Sequence, residues 1–200
     1  TTEQLIAFWE EVERKTGEKI QYRERLETIT AEAGGYLVTT SKQSYRTRTV
    51  LLSIGRRGTP RKLDVPGEEL SKVVYRLIDA EQYRGQRVLV VGGGDSALEA
   101  ATSIAEQDGT EVALSYRSEA FSRAKEKNRQ KVADAEAAGR LRVYFKSNVK
   151  SIEEKNVQLD TGNEVLNLPN DAVIISAGGV LPTGFLKKTG IEVETKHGTV

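Results

Sequence analysis

Between Arg87 and Ala105 the chain runs through four apolar residues, Val88-Leu89-Val90-Val91, then Gly92-Gly93-Gly94, then a stretch rich in Ala, Leu and Ile from Ser96 onward. An unbroken apolar run of that length reads as a strand buried on both faces. The Ala-rich stretch reads as a helix. A second strand is expected at Glu111–Tyr116, so strand, glycine turn, helix and strand follow in order. Gly92-x-Gly94-x-x-Ala97 is the dinucleotide-binding fingerprint in its Ala-ended form. Gly92 permits a tight turn out of the strand. Gly94 places no side chain between the backbone and a pyrophosphate. Ala97 is small, so helix and strand can pack closely. The helix N-terminus adds N–H groups and the positive end of a dipole. Gly93, Asp95 and Ser96 complete the candidate loop, and Asp95 and Ser96 are expected to cap the helix. Three neighbouring glycines also fit a plain structural turn, and that reading stays open here.

Composition narrows the field. The 200 residues are 38% hydrophobic and 30% charged, which supports a real core. A net charge of +1 gives no overall bias toward nucleic acid or membrane. No apolar run is long enough to cross a bilayer and the first residues show no signal-peptide pattern, so a cytoplasmic location is expected. Cysteine is absent, which removes disulfides, thiolate catalysis and Cys-ligated metals from these residues. The one histidine, His197, reads as a solvated tail residue, and no metal site is expected.

Read in order, Leu5, Ile6, Phe8, Trp9 and Val12 mark an amphipathic helix that Thr2 can cap. Strands are expected at Ile20–Tyr22, Leu26–Ala31, Tyr36–Thr39, Tyr45–Thr47 and Val50–Ile54, with Gly34-Gly35 as a hairpin turn. Beyond the glycine loop the same order returns. A helix is expected at Asn128–Ala138, ending at Gly139, then strands at Leu141–Phe145, Val149–Glu153, Val157–Leu159, Val165–Leu168 and Ala172–Ser176. The register repeats as well. Ile20 matches Val143, Tyr22 matches Phe145, Leu26 matches Val149, Ile29 matches Ile152, Val50 matches Val173 and Gly55 matches Gly178, each 123 positions apart. A period this long implies a duplicated domain. Carried back by 123, Gly92 falls at position −31, ahead of Thr1. These residues are therefore expected to hold one complete nucleotide-binding unit and the back half of another.

The duplicated plan, the Gly92–Ala97 loop, Ser53-Ile54-Gly55, the crossing segment Leu63–Glu68 and the strand-plus-glycine segment Asp171–Gly178 together resemble the two-dinucleotide-binding-domain flavoproteins. Within them the chain resembles the thioredoxin-reductase-like branch, which includes flavin-dependent ferredoxin–NADP reductases. The resemblance implies an α/β fold: a Rossmann-like NAD(P)-binding domain with a parallel sheet and an antiparallel meander, plus an incomplete second FAD-type domain. The implied division is 1–57 for the back half of the FAD-type domain, 58–184 for the NAD(P)-binding domain, and 185–200 for a tail returning to the first. It implies NADPH and FAD as cofactors, hydride transfer between them, and Gly178 near the cofactors. The family's Cys-x-x-Cys is replaced by Ser71–Asp79 without cysteine, and its C-terminal Gly-Asp segment is not found after Gly190-Ile191.

For NAD, an acid is expected about 20 residues past the glycines. That place reads Ser115-Tyr116-Arg117-Ser118, and Arg123, Lys125, Lys127 and Arg129 follow. Arginine suits a 2′-phosphate dianion, so Tyr116, Arg117 and Arg123 are candidates for NADPH recognition, with NADH as the lesser alternative. Glu119, between the two arginines, argues the other way. Glu99, one turn after Asp95, faces either the nicotinamide or a neighbouring side chain. Arg56–Lys62 reads as a solvated basic linker that also suits an acidic partner such as a small electron carrier. A homodimer is compatible with this plan. The cofactors would carry the chemistry, so no catalytic acid, base or nucleophile is named. A nucleotide-sensing module without turnover, or a dehydrogenase without flavin, are the alternatives.

Overall fold

A computed structural model describes residues 2–54 and 59–194. The expectations resting on Gly55, Arg56, Arg57, Gly58 and His197, and on the side chain of Thr2, fall outside the described residues. The chain divides into two compact units, one made of Thr1–Ile54 with Pro182–Val200, the other of Gly55–Leu181.

In the first unit, helix α1 (Thr2–Thr16) precedes three strands, β1 (Leu26–Glu32), β2 (Gly35–Thr40) and β3 (Ser44–Thr47). They pair antiparallel in the order β1-β2-β3. The first hairpin turns at Ala33-Gly34, where Gly34 has φ +83°, and Gly35 already pairs with Glu32. A short helix is added within the second stretch of this unit, at Thr183–Lys188.

The second unit opens with β4 (Val73–Val74). A 3-10 turn at Glu81–Tyr83 leads into β5 (Arg87–Val91), α2 (Asp95–Ala105), β6 (Glu111–Tyr116), α3 (Glu126–Ala137) and β7 (Leu141–Phe145). Then come β8 (Asn148–Ile152), β9 (Asn156–Asp160), β10 (Val165–Pro169) and β11 (Ala172–Ile175), so the helix at Thr183–Lys188 is α4. Strands β4-β11-β5-β6-β7 form one sheet, paired parallel throughout. The meander β10-β9-β8 is a separate antiparallel sheet. The apolar run of β5 is explained by this layering. Val88 and Val90 face a core built with α2 and α3, while Leu89 and Val91 face a core shared with Val149, Ile152, Val157 and Leu159 of the meander. β11 divides the same way, with Ile174 on one face and Val173 and Ile175 on the other. Each such side chain contributes about 1.5–3 kcal/mol on burial.

The 123-residue register is visible in backbone detail. The β1–β2 ladder shifts between Leu26 and Thr28, and the β8–β9 ladder shifts between Val149 and Ser151, the same two register positions. Arg23 and Lys146, also 123 apart, both have positive φ, +55° and +51°. β2 departs from the register, because the first hairpin is longer and the turn after it shorter.

Two expected strands are not formed. Ile20–Tyr22 and Val50–Ile54 carry no ladder. Their register partners are β7 and β11, which lie in the parallel sheet beside β6, β5 and β4. Among the described residues these two segments have no parallel strand beside them. β1–β3 formed because each pairs with its neighbour in sequence. The apolar positions tell the same story. Leu51 is 90% exposed where its counterpart Ile174 is 0%, and Trp9 is 60% exposed where Val132 is 2%. The periodicity of α1 is that of a core helix, but the face carrying Leu5, Ile6, Phe8 and Trp9 is exposed.

Arg87 and Asp171 fasten the starts of β5 and β11. Arg87 donates to Asp171 through Nε at 2.8 Å, through a terminal nitrogen at 2.8 Å and through its backbone N–H at 2.9 Å. Asp171 returns its backbone N–H to the Arg87 carbonyl at 2.8 Å. The Arg87 side chain and backbone bonds hold the Asp171 carboxyl down at about 2. A carboxyl whose pKa is lower folded than unfolded adds stability above about pH 4, and that stability drains as pH falls toward 2. Both side chains are more than a third exposed, which keeps the contribution to about 1 kcal/mol or less. Asp171→Asn is therefore expected to lower the urea midpoint equally at pH 7 and pH 5. The gap to wild type should narrow between about pH 4 and pH 2; a gap that ignores pH contradicts this account.

Candidate functional site

The carboxyl ends of the parallel strands surround a cavity of about 1410 Å³. It lies where the strand order changes direction, with β6 on one side of β5 and β11 on the other, the position at which open α/β sheets hold ligands. Its volume exceeds the roughly 300–1,000 Å³ of drug-sized sites, which suits an extended ligand. All of its lining comes from the second unit.

The three glycines do three different things. Gly92 has φ +147°, and a Cβ there would stand 2.4 Å from the Ser176 carbonyl oxygen and 2.9 Å from Ala97 Cβ. A Cβ on Gly93 would enter the Tyr116 ring at 2.3 Å. A Cβ on Gly94 would meet nothing within 4 Å. Gly92 and Gly93 are thus glycine for the protein's own packing, and Gly94 keeps open space in front of the helix. Ala97 is fully buried behind the loop and does not line the cavity; its role is the close packing against Gly92.

The expected caps are not made. Gly94 is the N-cap of α2, extended at φ −98° and ψ 175°, with no side-chain cap bond. Asp95 is already helical, so its carboxylate is turned elsewhere. It accepts the Lys125 backbone N–H at 2.8 Å and Asn128 Nδ2 at 2.7 Å, and these two bonds hold its pKa below the ordinary value. The first turn of α2 therefore opens on the cavity without a side-chain cap, the arrangement that binds anions. Glu99 accepts the Asn128 amide at 2.9 Å while also lining the cavity.

Gly92, Gly93, Gly94, Asp95, Ser96, Tyr116, Arg117, Arg123 and Gly178 all line this one cavity. Arg117 and Arg123 are exposed and have no hydrogen bond or ion pair among the described residues. Glu119 pairs with Lys146 at 3.3 Å and does not line the cavity. Arg129 is taken by Glu126. Tyr116 stacks on Phe121 with centroids 5.5 Å apart, and Phe121 meets Phe145 at 4.8 Å. Gly178 has φ +87°, and its carbonyl accepts the Arg61 N–H at 3.0 Å.

Sequence reading missed a further group. Arg61 and Lys62, read as linker, line the cavity, as do Tyr75 and Arg76 after β4. Their place is fixed by Glu68, a buried carboxylate that accepts the N–H groups of Leu63 at 2.9 Å and Asp64 at 2.7 Å and the Tyr75 hydroxyl at 2.9 Å. Burial opposes its ionisation, but the bonds from Leu63, Tyr75 and Asp64 outweigh that and lower its pKa. Gly67 makes the approach possible: its φ is +82°, and a Cβ would lie 1.8 Å from the Ile152 carbonyl oxygen. No spacing pattern announces a buried Glu as the organiser of a crossing segment.

Among the described residues no helix is long and apolar enough to cross a membrane, and no group of three or more His, Cys, Asp or Glu could hold a metal.

Comparison with known proteins gives a consistent result. A ferredoxin–NADP reductase of Pediococcus pentosaceus is 30% identical over 196 residues, covering 94% of this chain and 59% of that protein. The bacilliredoxin reductase Bdr of Bacillus subtilis is 29% identical, covering 82% of this chain and 51% of its own length. Among solved structures, the bacillithiol disulfide reductase Bdr of Staphylococcus aureus superposes with a TM-score of 0.84 at 26% identity, over 97% of this chain and 60% of that one. A thioredoxin reductase of T. acidophilum shares the fold, with a TM-score of 0.74 at 22% identity. The chain spans between half and three-fifths of these relatives' length. The family model for pyridine nucleotide-disulphide oxidoreductases matches residues 1–200, and the chain belongs to that family.

Proposed function

We propose that this chain is the pyridine-nucleotide part of an NADPH-dependent flavoprotein oxidoreductase. The observation that carries the reading is the pairing, in one cavity, of an open position at Gly94 with two unpaired arginines. Gly92–Gly94 and the opening of α2 would hold the pyrophosphate, and Arg117 and Arg123 the 2′-phosphate. Tyr116 would support the loop that carries them, and Gly178 would lie along the cofactor. Bound NADPH supplies a hydride at its nicotinamide, with a flavin as the acceptor in this reading. The share of these residues is to bind and orient the nucleotide and to pack the dry sheet beneath it.

Among the described residues one strand–glycine–helix unit is present, the β5–α2 unit, and in this reading it holds the nicotinamide nucleotide. The relatives named ferredoxin–NADP reductase and bacillithiol disulfide reductase support a redox protein or a disulfide as the final electron acceptor.

Three outcomes are expected. Calorimetric titration should show NADPH binding more tightly than NADH, and Arg117→Ala should weaken NADPH roughly tenfold, the worth of one charge-assisted bond, with NADH nearly unchanged. Equal affinities in the wild type would sink the 2′-phosphate assignment. Gly94→Val should abolish nucleotide binding while circular dichroism still reports a folded domain, because a Cβ there has open space around it and the side chain would fill the ligand's place; binding that survives would make the loop a mere turn. FAD added to the purified 200-residue chain should form no stoichiometric yellow complex, whereas NADPH should raise the melting temperature. Tight FAD copurifying with the chain would overturn the assignment of a single nucleotide unit.

A further inference from the structure

We infer that Asn128 is a positioning residue for nucleotide selectivity: its buried amide latches the arginine-bearing loop 117–125 to the head of α2. The inference rests on the NADPH reading above. Asn128 is 3% exposed, on the first turn of α3. Its Nδ2 donates to Asp95 at 2.7 Å and to Glu99 at 2.9 Å. An amide nitrogen has two N–H groups, so each carboxylate receives one. The reverse orientation would point an amide oxygen at two carboxylates. The Lys125 backbone N–H completes the latch on the same Asp95 oxygen, at 2.8 Å.

Arg123 therefore sits between two anchors. On one side Phe121 is buried between Tyr116 and Phe145. On the other, Lys125, two residues after Arg123, and Asn128, five after it, are clamped to Asp95. Among the described residues Arg123 itself makes no bond, so its place at the cavity depends on these neighbours. A cation held where a phosphate will arrive binds it better than one that must first be ordered. The latch also employs the two carboxylates that line a cavity meant for a polyanion, by directing donors onto both.

A residue that merely docks α3 on α2 would, when changed, weaken both nucleotides together or lower stability alone. A latch on the 2′-phosphate arm alters the ratio of the two affinities, because NADH does not use that arm. The test is titration of wild type, Asn128→Leu and Asn128→Ser with NADPH and NADH. Leucine keeps the volume and removes both donors; serine keeps one. For Asn128→Leu, NADPH affinity is expected to fall about tenfold with NADH within about twofold, and Asn128→Ser should fall between it and the wild type. Should the leucine variant fail to fold, the serine variant reads the same ratio. A wild-type preference for NADPH that survives in every folded variant, or a loss shared equally by both nucleotides, overturns the latch alone. A wild type without preference overturns the 2′-phosphate reading and the latch with it.

Discussion

The site depends on a close approach at Gly92. The end of β5, the carbonyl of Ser176 after β11 and the methyl group of Ala97 in α2 converge on a point where a Cβ would stand 2.4 Å and 2.9 Å from two of them. Nothing but hydrogen fits there. The backbone conformation, φ +147°, is also one that side chains resist. Because the strand can leave the sheet that tightly, α2 begins directly above it and its first turn faces the crevice beside β5. The depth of the cavity and the helix terminus over it both follow from that one contact.

The same economy governs charge. Asp95 and Glu99 lie on the wall of a cavity whose proposed occupant is a polyanion. An acid at the mouth of a phosphate site is a defect unless its lone pairs are already engaged. Asn128 and the Lys125 N–H engage them, and in doing so they tie the segment after β6 to the helix after β5. Among the described residues Arg117 and Arg123 have no partner, while Asp95 receives two donors and Glu99 one. Glu68 is the matching device on the other wall, where a buried carboxylate gathers three donors and holds Arg61 and Lys62 at the rim.

The second unit was nearly legible from the sequence because its signals are local. Val88–Val91 is too apolar for any place but the middle of a covered sheet, and Gly92–Ala97 follows at once. β6 and the meander announced themselves by runs bounded with turn residues. What escaped was non-local. β4 is two residues long and exists because β11 runs beside it. Arg61 reaches the cavity because Glu68 folds the crossing segment back, and one buried acid leaves no pattern. Asp95 looked like a cap because caps are the usual fate of an Asp at that place; the competing partner came from 30 residues further on.

The first unit shows what propensity cannot do. Ile20–Tyr22 and Val50–Ile54 have the composition of strands, and so do their counterparts Val143–Phe145 and Val173–Ala177. An antiparallel strand finds its partner across a turn, so β1, β2 and β3 assemble from their own sequence, down to the ladder shift that recurs at Val149 and Ser151. A parallel strand must wait for a partner delivered by a crossover. Here the same apolar alternation that buries Ile174 leaves Leu51 exposed. The hydrophobic pattern states which face a segment would bury, and the pairing strand decides whether that face exists. Trp9 and Leu51 are exposed where Val132 and Ile174, at the matching register positions, are buried, so the same pattern yields a core only where a partner surface meets it.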